Sequence, residues 1–474
     1  MAPETFEQSA ERALADVQLR KNFAFAMGSF ILKRQAVFSD VEETERLRTL
    51  GNAIKQRALS RLPELLQQLE AACTRNGIRV HWAETTAIAN RIVLEIVESH
   101  AASRVVKGKS MVSEEMHLNA FLGSHGIDAI ETDLGEFIIQ LNGEKPSHII
   151  VPAIHKNKAQ IAAIFHEKVP GAPYTEEVAE LNAIARRTLR RRFYEAGIGL
   201  SGVNFAVAET GTLCLVENEG NGRMCTTVPA VHIAVMGLEK VVEKLEDLPP
   251  LLRLLTGSAT GQLVTTYVNL ITSPRREGEK DGPREVHLVI LDNGRSRIYQ
   301  DPQLRQTLLC VRCGTCLNHC PVYTRIGGHA YGFVYPGPIG KVLTPQVEGL
   351  EKAGELAFAS SLCGACEEVC PVKIPLPALL RRLRDESYSA APDGAAVPGR
   401  GCRQNLAERL AWKGWEILNT HPRLNRLVTA LLGKVGDCLP LGGPLERWTR
   451  YRSEPVFADR SLQRRVREEG IPDE

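Results

Sequence analysis

With 474 residues, 43% of them hydrophobic and 24% charged, the chain has the composition of a globular protein long enough for two or three domains. Its 58 Lys and Arg against 56 Asp and Glu leave a formal net charge of +2, which excludes bulk electrostatic attraction to nucleic acid or anionic lipid. No apolar stretch reaches the length of a membrane span; candidates such as Ile149 to Ile154 are short and broken by Pro152.

The chain opens Met-Ala-Pro-Glu-Thr-Phe-Glu, without the basic and apolar regions of a secretory leader, which points to a reducing cytoplasm and against disulfides. From Glu4 to Cys73 apolar positions recur at three- and four-residue spacing, as at Leu62, Leu65, Leu66 and Leu69, so residues 1–75 form a helical segment. Asp40 with Glu43 three residues on reads as a capped helix start. From Ile78 short apolar runs alternate with helical ones. Ile78–Trp82, Arg104–Val106, Ile127–Ile130 and His148–Val151 read as strands, and Ala87–Ser99, Ser113–Ser124 and Lys158–His166 as helices. That alternation predicts a parallel α/β sheet. A helix near Glu176–Glu195 leads into the β runs Val203–Ala208, Thr212–Val216, Val231–Met236 and Val286–Leu291, with 274–283 an exposed loop. The α/β domain spans 76–299.

Two nucleotide-site look-alikes fail on context. Gly197-Ile-Gly-Leu-Ser-Gly202 follows a helix and opens a strand, the reverse of a dinucleotide fingerprint. Gly108-Lys109-Ser110 ends like a P-loop, yet the position of the required first glycine is Ser103. No ATP, nicotinamide or flavin site follows. Of the polar turns, Glu209–Thr212 and Asn218–Arg223 carry glycines that let backbone N–H groups approach a ligand, and Arg223 is a candidate clamp for a carboxylate or phosphate. Glu131, Asp133 and Glu136 read as a solvated loop or helix N-terminus. Arg186 to Arg192, interleaved with Leu189 and Phe193, reads as the basic face of an amphipathic helix. Cys214 lies on an apolar strand and reads as a small buried hydrophobe, while Cys225 has little context.

Residues 300–389 carry the chemistry. Cys310-Val-Arg-Cys313-Gly-Thr-Cys316-Leu-Asn-His-Cys320-Pro321 is the C-x2-C-x2-C-x3-C-P run of bacterial-type iron–sulfur proteins, and Cys363-Gly-Ala-Cys366-Glu-Glu-Val-Cys370-Pro371 repeats its last three cysteines. The position of the missing cysteine is Ser360. Three thiolates two residues apart can meet three corners of a cubane, while the cysteine before each proline serves the other cluster. Cys310, Cys313, Cys316 and Cys370 are therefore assigned to one [4Fe–4S] centre, and Cys320, Cys363 and Cys366 to a second. The second centre is one cysteine short: it is a three-iron cluster, or a four-iron cluster completed by Ser360, Cys402, water or a partner. Structural zinc fits poorly, because it wants closed sets of four ligands. The motifs are separated by the Gly- and Tyr-rich loop Gly327–Pro338 and a helix near Gly349–Phe358, a separation that suits a helical ferredoxin module with Leu304–Leu309 and Leu376–Asp385 as flanking helices. Residues 390–474 are a Pro/Gly/Ala linker, Ala390–Gly401, then a helical extension over Asn405–Leu432 with Leu406, Leu410, Trp412, Ile417, Leu427 and Leu431 as packing positions, and a loose charged end from Arg452.

These runs, together with Lys109-Ser-Met-Val-Ser-Glu-Glu115, Glu131-Thr-Asp-Leu-Gly-Glu136, Glu209-Thr-Gly-Thr-Leu213, Glu219-Gly-Asn-Gly-Arg223 and Asp292-Asn-Gly-Arg-Ser296, resemble the LutB/YkgF family, the iron–sulfur subunits of lactate utilisation systems, over nearly the whole chain. The resemblance implies a lactate-utilisation (LUD) domain of the NagB/CoA-transferase-like α/β class, a helical ferredoxin domain with two clusters held by the same seven cysteines, and a helical C-terminal extension. It also implies two partners, a cysteine-rich LutA-like subunit and a LutC-like LUD subunit, and identifies no catalytic residue. With two one-electron centres and no hydride acceptor, the chain reads as a non-catalytic electron relay in L-lactate oxidation to pyruvate. The competing readings are a lactate-binding LUD domain using Arg223, and an iron–sulfur redox sensor, for which no nucleic-acid module is found.

Overall fold

The computed structural model describes residues 4–388, 406–435, 458 and 460–470. Met1–Gly401 form one compact unit and Cys402–Glu474 a second.

The first unit opens with four helices, Phe6–Ala15, Val17–Val37, Val41–Ser60 and Leu62–Arg75. Thr5, Asp16 and Asp40 cap the first three, each accepting the backbone N–H three residues on, and Asp40 does so from Glu43 as expected. Leu62, Leu65, Leu66 and Leu69 are all buried. Ten strands follow: β1 (Arg79–Ala83), β2 (Arg104–Lys107), β3 (Asp128–Glu131), β4 (Ile198–Gly202), β5 (Phe205–Val207), β6 (Thr212–Glu217), β7 (Val231–Gly237), β8 (Val241–Val242), β9 (Tyr267–Ile271) and β10 (Glu285–Leu291). Six of them pair in the order β1-β10-β7-β4-β2-β3, every pairing parallel. The inner strands β4 and β7 are buried along their whole length, as a sheet covered by helices on both faces requires. A smaller sheet, β8-β5-β6-β9, joins β5 to β8 in parallel and β6 to its neighbours antiparallel. Its buried side merges with the N-terminal helices and the cysteine region into one continuous core.

Several elements differ from expectation. His148–Val151 is a series of bends, not a strand: its apolar character reflects burial against the first cysteine loop, where a Cβ on Gly314 would meet Ile150, His148 and Ile149 at 3.1, 3.2 and 3.3 Å. The look-alike Gly197–Gly202 is largely β4 itself, and Gly199 is required because a Cβ there would lie 1.8 Å from the carbonyl oxygen of Cys225. Ser113–Ser124 breaks at His117, whose φ is 50°, into helices Met111–Glu115 and Leu118–Ser124. Leu304–Leu309 is 3-10 rather than α, Gly349–Phe358 is two short helices, Leu350–Ala353 and Glu355–Phe358, and a helix not expected, Gly337–Glu348, begins at the end of the Gly/Tyr-rich loop. Leu376–Tyr388 is the expected closing helix.

In the second unit Leu406–Thr420 and Pro422–Val435 are helical, as is Leu462–Glu469. Leu406, Leu410, Trp412, Ile417, Leu427 and Leu431 are exposed instead of packed, since two short helices side by side cannot bury both apolar faces. The linker 390–401, Cys402 and residues 452–457 lie outside the described residues. Among the described residues no helix is long and apolar enough to cross a membrane.

Candidate iron–sulfur loops and the cavity beside them

The two cysteine runs fold into the same backbone shape. Arg312 and Gly314 have φ of 62° and 75°, and the matching Leu362 and Gly364 have 54° and 84°. Left-handed conformations at Arg312 and Leu362 are uncommon for side chains of this size, so their repetition marks a constrained loop. Each loop then enters a one-turn helix, Thr315–Asn318 or Ala365–Glu368. Backbone N–H groups point at sulfur: Arg312 donates to Cys310 Sγ at 3.4 Å, Tyr323 to Cys320 Sγ at 3.5 Å and Ile374 to Cys370 Sγ at 3.3 Å. In the second loop Leu362 N–H donates at 3.2 Å to Ser360 Oγ.

The thiols fall into two electrostatic groups. Burial pushes Cys316 well above the usual thiol range, followed in effect by Cys313, Cys310 and Cys370 and last by Cys366 of the other loop. Burial likewise raises Cys370 to about 11, with Cys310 adding to the rise and the N–H groups of Ile374 and Val372 opposing it. Cys366 is raised to about 11 by burial, then by Cys320 and Cys363. Thiols this well buried ionise when a metal supplies the compensating charge. Among the described residues no three His, Cys, Asp or Glu side chains form a single-ion site; a cubane is held differently, each thiolate on its own iron. Cys313, Cys316, Cys320, Cys366 and Cys370 are buried, Cys310 is half-buried and Cys363 is exposed. Cys73, Cys214 and Cys225 lie apart as buried thiols, each pushed up to about 12 by desolvation.

Positive groups surround the loops. Lys341, fully buried, places Nζ 3.6 Å from Cys320 Sγ. Arg34 donates to the carbonyl of Val369 and Arg48 to that of Cys370 at 3.2 and 3.0 Å, tying the N-terminal helices to the second loop. Arg312 stacks 4.7 Å over the Tyr335 ring and reaches Glu239 Oε1 at 3.2 Å. Glu239 also receives Arg295 Nε at 2.7 Å, and Arg295 binds both oxygens of Glu115 at 2.9 and 2.8 Å. Tyr335 closes the set by donating to Glu115 Oε2 at 2.7 Å. Glu115 and Arg295 lie in two of the segments that carry the family resemblance, and together they join the α/β sheet to the cluster region.

Of the acidic trio, Asp133 and Glu136 open a helix, one of the two expected placements, but Glu131 and Glu136 are not solvated. Glu131 and Glu136 are 2% and 3% exposed, and Glu131 Oε1 lies 2.6 Å from the buried Lys107 ammonium, which also meets Glu114 at 2.9 Å. Burial, then the Glu131 and Glu114 charges, lift the Glu136 carboxyl well above the usual range. Asp133 caps helix Leu134–Leu141, accepting from Glu136 at 3.1 Å. The basic run lies as expected on helix Val178–Glu195, with Leu189 and Phe193 buried and its arginines largely solvated.

A cavity of about 360 Å³ opens where β2, β4 and β7 end, reaching across to Arg312 and Tyr335 of the cluster region. Ligands in open parallel sheets sit at such carboxyl ends. Lys109 is there, bonded to the carbonyl of Ile150 and 3.8 Å from Asp133. Lys240 is there too, 6% exposed, its ammonium pushed down to about 8 by burial and then by the Arg312 charge. Arg223 is not: it is exposed, on the short helix Asn221–Thr227, its guanidinium 4.7 Å from the Tyr267 ring. Lys240 and Glu239 carry no motif that would have singled them out, and Tyr335 is legible only as part of the Gly/Tyr-rich loop; the three converge only in the folded chain.

Residues 66–291 match the LUD domain family, 306–374 the 4Fe-4S dicluster domain, and 382–471 the C-terminal domain of lactate utilisation protein B. The chain is 43% identical over 461 residues to lactate utilization protein B of Shouchella clausii, covering 96% of this chain and 94% of that one. It is 38% identical to the Bacillus subtilis protein of the same name, covering 98% of each. An Escherichia coli protein described as the uncharacterized electron transport protein YkgF is 42% identical, covering 88% of this chain and 86% of its own.

Proposed function

Because this chain belongs to the lactate utilisation protein B family, we propose that it is the iron–sulfur electron-transfer component of an L-lactate-oxidising complex. In this reading Cys310, Cys313, Cys316 and Cys370 hold one [4Fe–4S] cluster. Cys320, Cys363 and Cys366 hold the second, with Ser360, Cys402, water or a partner as fourth ligand, or hold a three-iron centre.

The observation that carries the reading is the repeated backbone of the two cysteine loops, with φ of 62° and 75° at Arg312 and Gly314 against 54° and 84° at Leu362 and Gly364; Cys370 acts most on the first run and Cys320 on the second. The residues fit such a group: seven thiols on two like-shaped loops, with N–H donors aimed at three of the sulfurs. Oxidation of lactate to pyruvate releases two electrons and two protons, and two clusters, when held by these cysteines, would supply one one-electron acceptor each. The protein's part is to hold the thiols, bury Cys313, Cys316 and Cys370 of the first set and present the second at the surface through Cys363. The partners in this reading are a LutA-like cysteine-rich subunit and a LutC-like LUD subunit, in the cytoplasm.

The test uses anaerobically prepared, iron-loaded full-length chain with L-lactate and an artificial acceptor. No turnover is expected from the chain alone, and turnover is expected once both partners are added. Turnover by the isolated chain would overturn the relay reading.

A further inference from the structure

Buried cations outnumber carboxylates beside the first cysteine loop, where the thiolates of a bound cluster would supply negative charge as well. Lys55, Lys240, Arg295 and Arg312 are each at most 8% exposed, and the carboxylates among them are Glu115 and Glu239. Those carboxylates are taken up by Arg295 and Arg312, while Lys55 Nζ is satisfied by the Glu239 carbonyl at 2.7 Å. Lys240 differs from these three: Glu239 and Cys310 act on it only through their charge. Among the described residues its ammonium has no hydrogen-bond or ion-pair partner, although the side chain is nine-tenths buried and lines the cavity. A buried ammonium without a partner is costly unless something else supplies the counter-charge. The other cation of that wall, Arg312, also leaves Nη1 without a partner.

We propose that this cavity is a binding site for a small organic monocarboxylate, of the 2-hydroxy or 2-oxo acid class, whose carboxylate is held by Lys240 with Arg312 supplying a second positive charge. The rest of the lining is acidic: Asp133, which engages Lys109; Glu217, which accepts the N–H groups of Gly222 and Arg223; and Glu219, whose carboxyl is raised to about 7 by burial and then by the Asp133 charge. A dianion such as phosphate meets that acidic lining with an extra charge. Val203, Leu215 and Val235 give the carbon body an apolar surface. Naming the acid class rests on the lactate-utilisation reading, whereas the anion site rests on geometry alone. Binding here needs no turnover by this chain and places an acid next to the loop of Cys310 and Cys313.

The experiment is calorimetric titration of the full-length, iron-loaded chain with L-lactate, pyruvate and inorganic phosphate, in the wild type and in Lys240→Gln, Lys240→Arg and Arg223→Gln. Saturable binding of lactate or pyruvate is expected, weakened roughly tenfold or more by Lys240→Gln, largely kept by Lys240→Arg, and unchanged by Arg223→Gln. Should the Lys240 variants not fold, the wild type still decides the matter: lactate is expected to alter the electron paramagnetic resonance of the reduced centre that Cys313→Ser perturbs. No saturable binding, equal affinity for phosphate, or a Lys240→Gln variant with altered resonance and unchanged titration overturns the proposal, the last by showing that Lys240 serves only the cysteine loop. Turnover by the isolated chain would bear on the relay reading and leave this site untouched.

Discussion

Ser360 stands in the second loop where Cys310 stands in the first: its Oγ accepts the Leu362 N–H at 3.2 Å as Cys310 Sγ accepts the Arg312 N–H at 3.4 Å. The backbone is thus shaped for a ligand atom at this position. Ser360→Cys is expected to raise the iron content per chain and change the resonance of the centre that depends on Cys366, leaving the other centre as it was. Unchanged iron and an unchanged spectrum would show that Ser360 does not face the cluster.

The thiol grouping makes a second prediction. Cys370→Ser is expected to perturb the same spectroscopic centre as Cys313→Ser, and Cys320→Ser the same centre as Cys366→Ser. If Cys320 instead grouped with Cys313, each run would close its own cluster.

Arg295 is fully buried and paired with Glu115 at 2.8 Å and Glu239 at 2.7 Å. Arg295→Met would leave Glu115 buried without a cation and Glu239 with Arg312 alone, and a loss of about 3–5 kcal/mol is expected from urea unfolding. A loss under about 1 kcal/mol would mean the network relaxes or hydrates.

How far the architecture could be read beforehand depends on how local each signal is. The cysteine runs, the capped helix at Asp40 and the parallel sheet follow from neighbours in sequence. His148–Val151 misled because β-branched apolar runs report burial, and here the burial is against a loop 160 or so residues away by the chain. Helix Gly337–Glu348 was hidden by the Gly and Pro density of its first turn. Lys107 and Glu131 are paired only because β2 and β3 are neighbours in register, an alignment that no periodicity reveals. The cavity is built the same way, from strand ends brought together by topology.

His148 supplies a pH prediction. It is 1% exposed, its Nδ1 accepts from Ile150 and Val151 at 3.0 and 3.2 Å, and its Nε2 donates to Asn318 at 3.0 Å. Burial lowers its pKa to about 4. The unfolded chain therefore binds the extra proton first, so stability contributed by the neutral ring is intact above about 6.5 and lost as pH falls towards 4. The loss is up to about 3 kcal/mol. His148→Gln should lower the melting temperature at pH 7.5 and flatten its fall towards pH 5; an unflattened fall would assign the acid sensitivity elsewhere.

Among the described cysteines Cys363 alone is exposed. A redox centre near the surface is well placed to pass electrons to a neighbour, and by the same shortness of path it is the first to meet dissolved oxygen. Damage in air should therefore run in order, the second loop losing iron while the first still holds it. A docked partner would act as a shield as well as a conductor, so the lifetime of the protein's iron depends on the company it keeps.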